Sequence, residues 1–193
     1  MAPKVKLDSD EILRAEFDYI AHTAFQANED RARVTSFYFV SVGSLVAAIL
    51  GAQFAEDDLR GVSLAFSLLF VVLTALGGLT IAQLARLRAA WHESAEAMNK
   101  LKDFYIQQRP EIEPAFKWRL GSVPPTDKAY SIANLMAVEV SLLGALTSAA
   151  AVYFLLNSWG GVAWWGWLLT AVFCAVGYLG HWVWYKHLLV DTQ

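Results

Sequence analysis

The apolar residues of this chain gather into four runs that contain no lysine or arginine, at positions 34–55, 61–85, 132–156 and 162–185. Each run is 22 to 25 residues long, and a helix needs about 20 apolar residues to cross the hydrocarbon core of a bilayer. The pattern therefore predicts four membrane-spanning helices. Because the first 33 residues are polar and charged, we expect no cleavable signal peptide, and the first span itself would direct insertion.

The apolar spacing continues beyond the first two spans into the polar parts of the chain. Before the first span and after the second, apolar residues recur every three or four positions, which keeps one helix face apolar. No proline interrupts either stretch, and only residues 56–60 separate the two spans. The two rods are therefore expected to be antiparallel neighbours that form a cytoplasmic helical hairpin. The residues predicted for the hairpin core are Phe17, Ile20, Trp91, Met98 and Leu101.

Charged residues lie where both rods would meet the membrane surface. If k residues are counted outward from that surface along each rod, residue 34 − k lies level with residue 85 + k. Glu29 and Asp30 therefore fall near the level of Arg86 and Arg88. We expect these four residues to form a neck of charge pairs. Exposed ion pairs contribute about 0–1 kcal/mol each, so packing must supply most of the stability of the hairpin.

Proline and glycine mark a connector after the second rod, at Pro110, Pro114, Gly121 and Pro124. Its segment 115–120 alternates bulky apolar and cationic residues, which fits either a position at the lipid headgroups or a cover over the hairpin. The predicted fold is an all-α membrane protein with these segments: tail 1–8, cytoplasmic helix 9–33, first span 34–55, second span 61–85, its cytoplasmic extension 86–108, connector 109–130, third span 131–156, fourth span 162–188 and tail 189–193.

The distribution of positive charge predicts the orientation. All of the 15 lysines and arginines except Arg60 fall on the side of the two termini, and such residues favour the cytoplasmic side. Both termini are therefore expected in the cytoplasm of a bacterium, with the spans in its inner membrane. Tryptophans bracket the fourth run at positions 159–167 and 182–184, as in interfacial belts. The hydrophobic content of 56% exceeds the ~45–50% of soluble domains.

Several function classes find no support in the residues. The net charge is only −3 and no basic run is present, so we expect no nucleic-acid partner. Cys174 is the single cysteine, and His22 and His92 are not accompanied by a clustered acid set, so we predict no metal site and no cofactor. No phosphate-binding glycine loop or nucleophile motif occurs. The prediction is therefore a protein that is not an enzyme.

Small residues at helical spacing indicate where helices approach closely in lipid. On the first span they are Ser36, Gly43, Ala47 and Gly51, and on the third span they include Gly144 and Ser148. Two interpretations remain open for both faces: homo-oligomerisation, and packing within one four-helix subunit.

Glu139 is the one clearly intramembrane carboxylate in the sequence. It would lie roughly 10–13 Å below the membrane surface, where an unpaired charge costs at least about 2.5–3.5 kcal/mol. His181 on the fourth span has a comparable depth and is the candidate partner. The pair is either a proton-linked or ion-linked site or a structural hydrogen bond. Contact of Glu139 with Asn134, Arg33 or Arg86 of a neighbour is a further alternative.

The hairpin also carries a resemblance to a known group. The residues Glu16-Phe17-Asp18-Tyr19 and Asn28-Glu29-Asp30-Arg31-Ala32-Arg33, which lead directly into a span, resemble small bacterial membrane proteins. A helix, a two-span hairpin with a tiny outer turn and a long cytoplasmic helix resemble SLATT-type domains of prokaryotic conflict systems, which are thought to act as membrane-perturbing or pore-forming effectors. The resemblance covers residues 9–108. Those domains have two spans, whereas this chain adds a second pair.

The leading functional hypothesis is a self-associating membrane protein whose cytoplasmic helical bundle scaffolds, senses or gates. Its expected partners are the lipid bilayer, further copies of the chain and a possible second membrane protein. One alternative is a proton-linked or ion-linked channel or transporter that uses Glu139 and His181. Another is an accessory subunit of a larger membrane complex.

Overall fold

A computed structural model describes residues 8–51, 59–119, 121 and 123–190 of the chain. Within these residues it contains four α-helices, a short 3-10 helix and no β-strand. The helices are α1 (Ser9–Gly51), α2 (Leu59–Gln108), α3 (Ile132–Ser158) and α4 (Trp164–Val190), and the 3-10 helix is Pro110–Ala115. The all-helical fold class is thus confirmed. The predicted outer turn at 56–58, the end of the first span at 52–55, and the terminal residues 1–7 and 191–193 lie outside the described residues.

Helix α1 starts at a side-chain cap, and its buried residues lie on one face of the helix. Asp8 Oδ1 accepts from the backbone N–H groups of Asp10 and Glu11 at 3.1 and 3.4 Å, which satisfies donors that a helix start leaves free. The buried residues then follow one stripe with spacings of three and four: Ile20, Ala24, Ala27, Arg31, Thr35, Tyr38 and Val42. This stripe passes without a break from the polar part of the helix into the predicted span.

Helix α2 is the central element of the bundle. Its 50 residues correspond to about 75 Å at helical rise, and it contacts α1, α3 and α4. No proline occurs between its ends, and the glycine pair Gly77-Gly78 lies within continuous helix. It stops just before Pro110, because proline cannot donate a backbone hydrogen bond and its ring disfavours a helical conformation of the preceding residue.

The contacts between α1 and α2 occur in opposite order along the two helices. Ser9 and Phe17, near the start of α1, line a cavity with Tyr105 and Gln108 at the end of α2. In the predicted spans, Tyr38 packs on Gly77 so closely that an added Cβ on the glycine would lie 2.6 Å from the tyrosine hydroxyl. That part of this helix pair lies in the cytoplasm stays a prediction.

Hydroxyl and amide groups join α2 to α3. Ser67 Oγ donates to the carbonyl oxygen of Ala151 at 2.8 Å, and Asn157 Nδ2 donates to Ser63 Oγ at 2.9 Å. Thr74 forms a third link, because its Oγ1 lies 3.0 Å from that of Thr147. Apolar packing accompanies these bonds in a core that spans all four helices. Bonds of this kind are the polar links that helices use where water is absent.

The connector folds back along the polar half of α2. Arg119 lies 3.3 Å from Asp103 and also pairs with Glu113. Farther along, the carbonyl oxygens of Pro125 and Thr126 accept from Arg88, so the chain returns toward the predicted spans as it approaches α3. Ser131 caps α3 by accepting from the N–H of Asn134 at 3.3 Å.

The outer surface of the bundle is apolar along the predicted spans. All four helices are long and apolar enough to cross a membrane. Large side chains such as Phe37, Leu68 and Val176 are 69%, 60% and 58% exposed. Extended apolar surface of this kind is rare on soluble monomers, whereas the hydrocarbon chains of a bilayer can surround it. These properties are those of a multi-pass membrane protein.

Candidate functional site

The predicted small-residue face of α1 points away from the other helices. Ser36, Gly43, Ala47 and Gly51 are all exposed. A Cβ added to Gly43 or Gly51 would meet no atom within 4 Å. Among the described residues, this face therefore takes no part in close packing within the subunit, and the helix backbone is accessible there.

The corresponding residues of α3 have the opposite environment. A Cβ added to Gly144 would lie 2.9 Å from the Cε1 and Nε2 atoms of His181, and Ser148 Oγ donates to the carbonyl oxygen of Phe173 at 3.2 Å. Gly177 meets the same α3 face, because its added Cβ would lie 3.2 Å from the Cα atom of Ala145. The small residues of α3 are thus used for contact with α4.

Glu139 lies on the outside of the bundle beside the exposed face of α1. It is exposed, at a shallow groove of about 560 Å³ whose lining includes Phe39, Gly43, Val46 and Leu142. Among the described residues, no hydrogen bond or ion pair of its side chain is found. An exposed carboxylate and an exposed glycine therefore share one groove between α1 and α3.

The predicted pairing of Glu139 with His181 is wrong. His181 is only 8% exposed; its Nδ1 lies 2.7 Å from the Gly177 carbonyl oxygen and its Nε2 lies 3.3 Å from that of Thr74. The ring packs on Gly144, which is five residues beyond Glu139, or about 140° around the helix axis. Glu139 and the surface of α3 that contacts His181 therefore lie on different faces of α3, although the sequence places the two residues at similar depths.

The hydrogen-bond partners of His181 make it a link between α4 and α2. Both partners are carbonyl oxygens, which only accept. A neutral imidazole has one N–H and satisfies one of them, whereas the imidazolium donates to both. This arrangement stabilises the bundle without a contribution from Glu139.

The predicted neck of charge pairs is also wrong. Asp30 pairs within α1, with Arg33 at 3.2 Å, and Glu29 and Arg86 are exposed without an ion pair to each other. Arg88 points into the bundle, where it is 6% exposed. The level count located these groups along the helices, but the side chains leave α1 and α2 in different directions.

The residues predicted for the hairpin core lie in two places, between α1 and α2 and beside the connector. Ile20 is 7% exposed, whereas Phe17 is 36% exposed and lines the cavity between the ends of α1 and α2. Leu101 is half-buried. Trp91 and Met98 line a cavity of about 360 Å³ with the connector residue Trp118, so they lie toward the returning connector. The sequence pattern identified this face, and the position of Trp118 agrees with the alternative in which segment 115–120 covers the hairpin.

Arg31 is the residue that the sequence interpretation missed. It is 7% exposed and belongs to the buried stripe of α1. Two signals in the sequence locate it. The level count places residue 31 opposite residue 88, and the spacing of four from Ala27 places it on the inner face.

Comparison of the chain with protein-family models, curated proteins and solved structures finds no match in any of the three.

Proposed function

We propose that this chain is a non-enzymatic bacterial inner-membrane protein that self-associates through the outer face of α1, and whose cytoplasmic helical hairpin forms a bundle for scaffolding, sensing or gating. The observation that carries the proposal is the exposure of Ser36, Gly43, Ala47 and Gly51 on one face of a helix that is long and apolar enough to span a membrane. Small residues permit the close backbone approach through which helices associate in lipid.

Glu139 supports the same surface. A carboxylate exposed to hydrocarbon costs at least about 2.5–3.5 kcal/mol when it is charged, and the groove that holds it also contains Gly43. A second copy seated on this groove would remove Glu139 from lipid and would supply polar groups to it. Self-association thus accounts for the small residues and for the carboxylate together.

The cytoplasmic part of the proposal is supported by charge and by helix continuity. Lysine and arginine are concentrated on the side of the termini, which favours a cytoplasmic location for residues 9–33 and 86–108. Because α1 and α2 each continue without a break from the predicted cytoplasmic part into the predicted span, displacement of one end of a helix is expected to be transmitted to its other end.

The decisive experiment compares Gly43→Leu with Gly180→Leu in the full chain. Both glycines are exposed within apolar helices, and a Cβ at either position meets no atom within 4 Å, so the two substitutions are matched in their local environment. Stoichiometry is measured in lipid nanodiscs by native mass spectrometry. We expect the unaltered chain to be oligomeric, Gly43→Leu to weaken association at least about tenfold, which is 1.4 kcal/mol, and Gly180→Leu to retain it.

Two results would contradict this assignment. A monomeric unaltered chain removes self-association altogether. Loss of the oligomer in Gly180→Leu with retention in Gly43→Leu moves the interface from α1 to α4. Single-channel recording of the oligomer in planar bilayers then distinguishes the functional versions: absence of conductance removes the gating version and leaves scaffolding and sensing.

A further inference from the structure

Two arginines are buried between the helices, Arg31 on α1 and Arg88 on α2, and the charge of Arg88 acts on Arg31. Arg31 is 7% exposed and Arg88 is 6% exposed. Arginine is rarely buried to this extent unless its charge is paired, because removing a charge from water costs free energy.

The hydrogen bonds of Arg31 are incomplete. Its Nε donates to the Ala27 carbonyl oxygen at 3.4 Å, but the N–H groups on Nη1 and Nη2 have no partner among the described residues. Arg88 is better satisfied, because Nε donates to Thr126 at 3.1 Å and Nη2 to Pro125 at 3.3 Å. All these acceptors are neutral carbonyl oxygens, so neither positive charge is balanced by them.

No carboxylate of the described residues balances the pair. Asp30, next to Arg31 in sequence, pairs with Arg33, and Asp127, next to the Arg88 acceptor Thr126, lies 3.9 Å from Lys186. Asp30 and Asp127 are therefore engaged elsewhere, and Glu29 is exposed on the surface of α1. Tyr185 on α4 lies near both guanidinium groups; it is 1% exposed, and its hydroxyl donates to the Ala133 carbonyl oxygen at 3.5 Å.

The effect of this environment on the charges has a definite direction. Burial lowers the pKa of the Arg31 guanidinium below its ordinary value, and the positive charge of Arg88 lowers it further. Burial likewise lowers the pKa of Arg88. A lowered pKa of a cation means that its charge is unfavourable where it lies. A bound anion would reverse both effects by compensating the charge.

The location of the pair suggests where the anion comes from. Arg31 precedes the predicted start of the first span by three residues, and Arg88 follows the predicted end of the second span by three, so both lie about 5 Å from the hydrocarbon boundary. Phosphate groups of lipids occupy this level, and soluble phosphates reach it from the cytoplasm. The planar fork of arginine binds phosphate through two parallel hydrogen bonds.

We propose that Arg31 and Arg88 form a binding site for one phosphate-bearing anion, beside the buried Tyr185 and where α1, α2, α4 and the end of the connector meet. The free Nη groups of Arg31 donate to the phosphate oxygens. Arg88, fixed by Pro125 and Thr126 and by the Trp91 ring 4.8 Å below it, supplies the second positive charge. The site is independent of self-association, since it lies on the inner face of α1.

The test measures the thermal unfolding midpoint of the full chain, purified in a maltoside detergent without phosphate. One arm adds inorganic phosphate, compared with sodium chloride at equal ionic strength. The other adds dioleoyl phosphatidylglycerol, compared with an uncharged galactolipid that contains no phosphate. A ligand that binds only the folded protein raises the midpoint as its concentration increases. We expect a rise in at least one arm, and the arm that responds identifies a lipid headgroup or a soluble phosphate as the source.

Variants then assign the response to the arginine pair. Arg31→Gln and Arg88→Gln should raise the half-saturating concentration at least about tenfold. The matched control is Arg33→Gln, two residues away on the same helix with a side chain 77% exposed, which should leave it unchanged. Arg31→Lys retains the charge but not the fork, so it should weaken binding less than Arg31→Gln and serves if the glutamine variant does not fold. The proposal is overturned if neither phosphate source stabilises the unaltered chain beyond its control, or if Arg33→Gln has as large an effect as Arg31→Gln.

Discussion

The contact between Gly144 and His181 makes a quantitative prediction for Gly144→Ala. The added methyl group would lie 2.9 Å from two atoms of the His181 ring, whereas carbon atoms in favourable contact are about 3.5–4.0 Å apart. The ring cannot retreat freely, because both of its nitrogen atoms lie within hydrogen-bonding distance of carbonyl oxygens of α2 and α4. Overpacking a filled site costs about 1–3 kcal/mol, and the helix preference of alanine over glycine returns about 1 kcal/mol.

Gly180→Ala is the control that isolates the packing cost. Gly180 precedes His181 on α4, and its added Cβ meets no atom within 4 Å, so this variant gains the helix preference without the collision. The free energy of unfolding, measured by circular dichroism during titration with sodium dodecyl sulfate in mixed micelles, should be lower for Gly144→Ala by about 1–3 kcal/mol. A difference below about 0.5 kcal/mol, the range of ordinary surface substitutions, would refute the close contact of α3 with His181.

Two further substitutions test the link between α2 and α3 and the attachment of the connector. Ser67→Ala removes the bond to Ala151 and should lower the free energy of unfolding by about 0.6 kcal/mol, and by about 1.7 kcal/mol at most. The control is Ser41→Ala, because the Ser41 hydroxyl bonds only its own helix. An effect of Ser67→Ala no larger than that of the control would contradict the link between α2 and α3. Arg119→Gln removes the pair with Asp103 and, because the arginine is 40% exposed, should cost less than about 1 kcal/mol while accelerating amide hydrogen exchange in the connector. High salt should reduce the difference in exchange rate between Arg119→Gln and the unaltered chain. Identical exchange rates of the two at low salt would refute the attachment of the connector to α2.

The lengths and ends of the helices could be predicted because strong local signals set them. The cap at Asp8 and the proline at Pro110 lie close to the ends of α1 and α2 in the structure. Ile20 is buried as its spacing indicates, because in the polar part of α1 apolar residues recur every three or four positions on one face. Local chemistry is sufficient wherever water distinguishes the two sides of a helix.

The directions of side chains in the predicted spans could not be obtained in the same way. A helix surrounded by lipid is apolar on its outer face as well as on its inner face, so hydrophobic periodicity does not fix its rotation. Glu139 and His181 were matched by depth alone, although they project from different sides of the bundle. The neck charges were matched by level, and the orientation of Arg88 toward the connector depends on a segment of irregular structure that periodicity does not describe.

The polar links between α2 and α3 also bear on the order in which the protein is built. The ribosome completes α2 well before α3 emerges, so the first pair of helices can enter the bilayer alone. At that stage the hydroxyl of Ser67 has not yet met the Ala151 carbonyl oxygen, and Ser63 has not yet met Asn157. Until α3 is synthesised, the hydroxyls of Ser63 and Ser67 lack these partners, and arrival of the third helix supplies them.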